Sequence, residues 1–128
     1  MNTTQLPYID GFVLPIPKSN LETYQKMAAT AATVWKEHGA LDYKECVLDD
    51  ACIEGTRSFP DLAGAREDET VVFAYIVYPS REVRDEINAK VMADPRIREA
   101  CPANNPDAAM PFDCSKMAYG GFQTIVSA

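Results

Sequence analysis

The chain has 128 residues, 47% of them hydrophobic and 24% charged, with a formal net charge of −7. That length and composition fit one globular domain over residues 1–128 and leave no apolar run near the roughly 20 residues that cross a bilayer. The acidic balance disfavours a sequence-independent nucleic-acid binder, which needs a basic surface to displace counterions, and disfavours an anionic membrane surface for the same reason.

Tyr8 to Ile16, YIDGFVLPI, reads as the first strand, with Pro15 and Pro17 ending it. Asp10 interrupts it beside Gly11. An acid is a poor strand former, and a buried one is costly unless it has partners or a function. SNLE follows, with Ser19 as N-cap and Glu22 three residues on, a capping box for a helix over residues 20–37. Leu21, Tyr24, Met27, Ala28, Ala31, Val34, Trp35 and His38 recur at spacings of three and four along one apolar stripe, and Gly39 stops the helix.

Leu41 to Leu48 reads as a second strand, and an acidic, irregular connection leads to TVVFAYIVY, residues 70–78, the strongest strand signal in the chain. PSREVRDEINAKVMADP predicts a second helix with Ser80 as N-cap, a buried side of Val83, Ile87 and Val91, and a limit at Pro95. A loop with Pro102, Pro106 and Pro111 precedes the last strand, KMAYGGFQTIV. Its segment Cys101–Pro111 is expected to form a flap or a subunit-bridging arm, because three prolines exclude a regular helix or central strand.

The order βαββαβ predicts an α+β, ferredoxin-like fold, a four-stranded antiparallel sheet with two helices on one face. Alternation then decides what lies on the open face. Gly11 and Gly120 are small enough for helices to approach, which assigns Ile9, Gly11 and Val13 to the helix side, together with Ala74, Ile76, Ala118 and Gly120. The open face would carry Tyr8, Asp10, Phe12, Leu14, Tyr43, Glu45, Val47, Phe73, Tyr75, Val77, Met117, Tyr119 and Gly121. So apolar a face calls for a partner, and two subunits packed sheet to sheet would bury it, with Phe12 in the contact. Asp10 and Glu45 would lie in or beside the enclosed space, with no cation near except Lys116.

Neither a basic segment followed by an apolar one at the start nor any C-x-x-C among Cys46, Cys52, Cys101 and Cys114 is present. No signal peptide is therefore expected, and reduced thiols in a cytoplasm are the expected state, with Cys46 a small core residue. His38, the one histidine, stands far from any cysteine pair. No metal site and no cofactor are expected.

The segments YIDGFVLPIPKSNLETYQKMA, KEHGAL, Glu45–Cys46, VVFAYIVYPSREVRD, VMADPR and MPFD…KMAYGGF resemble, in order and over nearly the whole chain, a family of small bacterial proteins known as domain of unknown function 1428. Membership implies a dimeric α/β barrel, two ferredoxin-like units paired sheet to sheet, and no established activity. The chain departs from the family where Tyr75 and Val77 stand in place of Trp and Glu, which weakens a shared carboxylate cluster.

Two functions from different classes fit these features. One is a small-molecule binder or cofactor-independent enzyme that uses the barrel cavity. Asp10 would be its key acid, Glu45 a paired acid and His38 a catalytic imidazole, with Tyr8, Phe12, Phe73, Tyr75 and Tyr119 lining the ligand site. The other is a non-catalytic dimeric accessory protein whose interface is filled by its own side chains, Asp10 and Glu45 then accepting hydrogen bonds from tyrosines or a partner arginine. A cavity of several hundred Å³ lined by acids and tyrosines separates the two.

Overall fold

Strand β1 (Tyr8–Pro17) occupies an inner position of a four-stranded antiparallel sheet in the order β2-β3-β1-β4, as a computed structural model describing residues 6–100 and 110–128 shows. The other strands are β2 (Asp42–Val47), β3 (Glu69–Tyr78) and β4 (Ala118–Gln123). Strand β1 runs through Pro15 to Pro17 instead of ending there. Its pairing with β4 stops at Val13 opposite Ala118, while its pairing with β3 continues to Pro17 opposite Glu69. Beyond Val13 one side of β1 needs no N–H, so proline is tolerated.

Helix α1 (Leu21–Glu37) follows a short 3-10 turn, Lys18–Asn20. Ser19 lies in that turn, so the expected capping box does not form. Asn20 instead donates from Nδ2 to the Pro111 carbonyl at 2.9 Å, tying the start of α1 to the chain before β4. Gly39, at φ 118°, reverses the chain where α1 ends. Helix α2 (Phe59–Ala63) is a single short turn in the acidic connection, capped by Ser58 accepting from the Asp61 amide. Helix α3 (Arg81–Ala93) has the expected cap, Ser80 Oγ accepting from the Val83 amide at 3.2 Å. Pro95 opens a further short helix, α4 (Pro95–Ala100), as first-turn proline can. Most of the Cys101–Pro111 segment, residues 101–109, lies outside the described residues.

The core lies between the sheet and the helices in two clusters. Val34, Ala40, Ile76, Tyr78, Ile87, Val91 and Ile97 make one, and Leu14, Ile16, Tyr24, Ala28 and Val72 the other. These contacts invert the expected faces of three strands. Tyr8, Asp10, Phe12 and Leu14 of β1 face the helices, as do Tyr43 and Glu45 of β2 and Tyr119 of β4, with Met117 just before it. Only β3 follows the expected pattern, with Ala74 and Ile76 buried and Phe73 44% exposed.

The glycines misled because the neighbour they make room for is an aromatic ring, not a helix. A Cβ on Gly11 would sit 3.1 Å from the Phe122 ring, on the open face. A Cβ on Gly121, on the helix face, would sit 2.7 Å from Cε2 of Tyr8. The open face is nonetheless apolar, but built from Ile9, Val13, Phe73, Tyr75, Val77 and Phe122. Helix α2 lies against β1 and β3, and at that end of the open face Pro15 and Val71 are fully buried. Cys46 is exposed rather than a core residue.

Candidate functional site

Two acids sit beneath the helices on one face of the sheet. By register Asp10 pairs with Ile76 and Ile76 with Tyr43, whereas Glu45 pairs with Ala74 and Ala74 with Phe12. The acids are therefore two strands apart and offset by two residues, roughly 10 Å across the sheet and roughly 7 Å along it. They do not share a proton or a direct contact.

Asp10 is 1% exposed and fully engaged. Arg84, in the first turn of α3, donates from Nη1 to its Oδ1 at 2.7 Å, and Tyr119 donates to its Oδ2 at 3.1 Å. The Arg84 guanidinium also lies 5.0 Å from the centre of the Tyr8 ring and donates to Tyr119 and Asp85. The expected absence of a cation thus fails. Helix α3 brings one, because Arg84 falls on the same stripe as Ile87, Asn88 and Val91. Beside this cluster Trp35 Nε1 donates to Tyr78 and Asn88 at 3.0 and 3.1 Å. Burial, and next the charge of Asp10, raises the Tyr78 phenol well above its ordinary value.

Glu45 has a different setting. Tyr24 of α1 donates to Oε1 at 2.6 Å and Tyr43 of β2 donates to Oε2 at 2.7 Å. Burial first, then Glu45 itself, raises both phenols well above their ordinary range, so both remain protonated donors. Among the described residues no lysine, arginine or histidine nitrogen lies within 4.0 Å of this carboxylate. Lys44, its neighbour in sequence, bonds Asp42 at 2.6 Å instead.

Glu45, Tyr24 and Tyr43 border two hollows. The larger, a cleft of about 360 Å³, opens between α1 and β2, walled by Leu21, Ala28, Ala29, Ala32, Val47 and Val72. The smaller, about 200 Å³, reaches inward to Phe12, Trp35, Phe112 and Met117, where the two core clusters meet. The cause is local sequence. The alanines of MAATAAT, residues 27–33, keep α1 helical but leave space above the sheet that larger side chains would fill.

His38 is elsewhere. Its Nε2 lies 3.0 Å from Asp94 Oδ2, and Arg96 grips the same carboxylate through its backbone amide, Nε and Nη2. Hydrogen bonds from Arg96 and then His38 hold the Asp94 carboxyl well below the usual carboxylate range. Arg96 also reaches Glu37, so the cluster fastens the end of α1 to the start of α4. Of the expected ligand residues, Phe12 stacks on Tyr119 at 4.7 Å under the helices, while Phe73 and Tyr75 pack at 6.1 Å on the open face. The predicted residues are thus divided among four places. Sequence reasoning missed Tyr24, Trp35, Tyr43 and Arg84 as partners, though a phenol or guanidinium within an apolar stripe marks a polar group headed for the interior.

A family described as "Protein of unknown function (DUF1428)" matches residues 7–114. The chain belongs to this family. It is 43% identical over 121 residues, 94% of this chain and 98% of the relative, to the uncharacterised protein YbaA of Escherichia coli K12, and equally similar to YbaA of Shigella flexneri. Solved structures of similar fold include a NIPSNAP family protein of Agrobacterium tumefaciens (TM-score 0.56, 12% identity, covering 98% of this chain and 91% of that one). A dimeric ferredoxin-like protein from an uncultured marine organism gives a TM-score of 0.55 at 11% identity, covering 95% of this chain and 99% of that one. These neighbours support the ferredoxin-like α+β assignment. Among the described residues no helix is long and apolar enough to cross a membrane, and no group of three or more His, Cys, Asp or Glu side chains could hold a metal ion.

Proposed function

We propose that this DUF1428 protein binds a small, mainly apolar molecule in the cleft between α1 and β2, with Glu45 as its polar anchor. The observation that carries this is a carboxylate held by two phenols at the border of a cleft of about 360 Å³ with largely apolar walls. That is the usual build of a ligand pocket, a hydrophobic wall with few, fixed polar groups. Glu45 takes the role first given to Asp10. Asp10 and His38 are assigned structural roles, because each is tied to an arginine-centred cluster. If the ligand is turned over, Glu45 is the group able to accept its proton, with Tyr24 and Tyr43 as donors around it.

Trp35, the one tryptophan of the chain, lines the inner hollow with its ring 6.0 Å from that of Tyr43, which also lines the cleft, so a ligand against Tyr43 should perturb its fluorescence. Ligands retained through purification and found by native mass spectrometry should perturb that fluorescence. Ala32→Phe, which fills the cleft, should abolish the perturbation while the helical circular dichroism stays unchanged. Retention of the same ligand by Ala32→Phe places it elsewhere and overturns this reading.

The open face supports self-association as a companion to this reading. Phe73 is 44% and Phe122 60% exposed on a sheet face that also carries Ile9, Val13, Tyr75 and Val77. A second copy stacked on it, in keeping with a neighbour of similar fold that is described as dimeric, should bury at least about 1,200 Å² in total. Phe122→Asp should give a folded monomer in sedimentation equilibrium at micromolar concentration. Phe12→Asp should instead destabilise the fold, because Phe12, expected in the sheet-to-sheet contact, packs beneath the helices. A wild-type monomer at that concentration refutes self-association.

A further inference from the structure

Asp10 has a guanidinium, whereas Glu45 has two neutral phenols and faces open space. We propose that the cleft selects a small organic cation, an ammonium or amidinium on an apolar body. This rests on the cleft being a binding site, and adds the charge class of its ligand.

Three observations converge on a cation. First, the partners of Glu45 are donors at 2.6 and 2.7 Å, the short hydrogen bonds an ionised carboxylate accepts. Two phenols occupy two of about four acceptor sites, which leaves lone pairs for a further donor. Second, no cationic side chain among the described residues neutralises it, and the undescribed stretches, residues 1–5 and 101–109, contain no lysine or arginine. A negative charge against apolar walls is costly, and a ligand that carries the opposite charge removes that cost. Third, the rings of Tyr24 and Tyr43 line both hollows, and Trp35, its centroid 6.0 Å from that of Tyr43, lines the inner one. Aromatic faces attract ammonium and amidinium groups. The net charge of −7 draws cations toward the protein. Lys44 at the rim is held by Asp42 and does not compete for Glu45.

The test uses three probes of one shape and different charge, namely benzylamine, benzyl alcohol and benzoate. Each is titrated against the full-length protein by Trp35 fluorescence and by calorimetry at low and high salt. Benzylamine should bind at least about tenfold more tightly than benzyl alcohol, a difference of about 1.4 kcal/mol, and benzoate should not bind. Glu45→Gln should abolish the preference for benzylamine over benzyl alcohol. The preference should survive high salt, which screens a general attraction by the surface. Equal binding of amine and alcohol overturns the cation assignment and leaves the cleft as a neutral-ligand site. A preference that Glu45→Gln preserves, or that high salt removes, also overturns it. Failure of all three probes to bind, with Ala32→Phe indistinguishable from wild type, removes the cleft as well as its charge class.

Discussion

Asp10 and Glu45 lie on the same face of the same sheet, two strands apart, under the same layer of helices, yet they are solved as different problems. Asp10 is sealed and neutralised. Arg84 pairs with it at 2.7 Å, and the pair is 1% exposed on the acid side and 13% on the guanidinium side. Glu45 is held by two phenols and left beside empty volume. The contrast teaches that a carboxylate placed beneath the helices by itself says little about function. A charge whose partner comes from the fold is spent on structure, while one supplied only with neutral donors keeps its attraction for something else.

The largest expected effect comes from breaking the sealed pair. Arg84→Met should cost about 3–5 kcal/mol in chemical denaturation, because it leaves Asp10 buried without a counter-charge. Asp10→Asn together with Arg84→Met should recover part of that loss, since both charges are then gone. A loss below about 1 kcal/mol for Arg84→Met is what a solvent-screened surface pair gives, and would erase the distinction between the two acids.

Alkaline titration comes next in size and sharpens the contrast through the tyrosines. Tyr24, Tyr43 and Tyr78 all have phenols raised in the fold, by burial first and then by Glu45 for two of them and by Asp10 for the third. A raised group contributes stability that is fully present below its unfolded value, about 10 for tyrosine, and is lost as pH rises beyond it. Thermal stability should therefore decline above about pH 10. Glu45→Gln removes one cause of the shift at Tyr24 and Tyr43 but leaves their burial, so in the folded variant these phenols should ionise at a lower pH than in wild type, followed by ultraviolet absorbance, and still above the ordinary tyrosine value. Unchanged phenol ionisation in that variant would mean that Glu45 does not act on these phenols.

Much of the fold is legible in the sequence, and the reason is physical. Strand β3 carries an apolar run, Ser80 and Gly39 punctuate the helices as expected, and the βαββαβ order leaves few topologies. The faces of β1, β2 and β4 are not legible from glycine positions, because a glycine records a close neighbour without saying which kind. Gly11 serves Phe122 and Gly121 serves Tyr8, both of them neighbours in the sheet. For the same reason the apolar open face is foreseen correctly as a property of the sheet and in its β3 residues, and incorrectly in the residues of β1, β2 and β4. The acids are foreseen as important, but their partners come from α1 and α3 across the core. Which of the two acids meets an arginine depends on helix placement, and strand alternation carries no information about that.

The smallest expected effect belongs to Glu45. Glu45→Gln keeps the side chain's length and shape and removes only its charge. The amide oxygen can accept from one phenol, and the amide nitrogen can donate to the other, whose hydroxyl rotates to receive it. Two charge-assisted bonds become two neutral ones, and each neutral bond contributes less. Against that, the fold no longer carries an uncompensated charge beside an apolar cleft. The two changes oppose, so the stability of Glu45→Gln should lie within about 1 kcal/mol of wild type, measured by the same denaturation as Arg84→Met. Isosteric removal of one charge would then be nearly silent at Glu45, while removal of one charge at the Asp10 pair is not. If Glu45→Gln instead costs as much as Arg84→Met, Glu45 is a structural keystone between α1 and β2, and the cleft loses its reason to keep a charge.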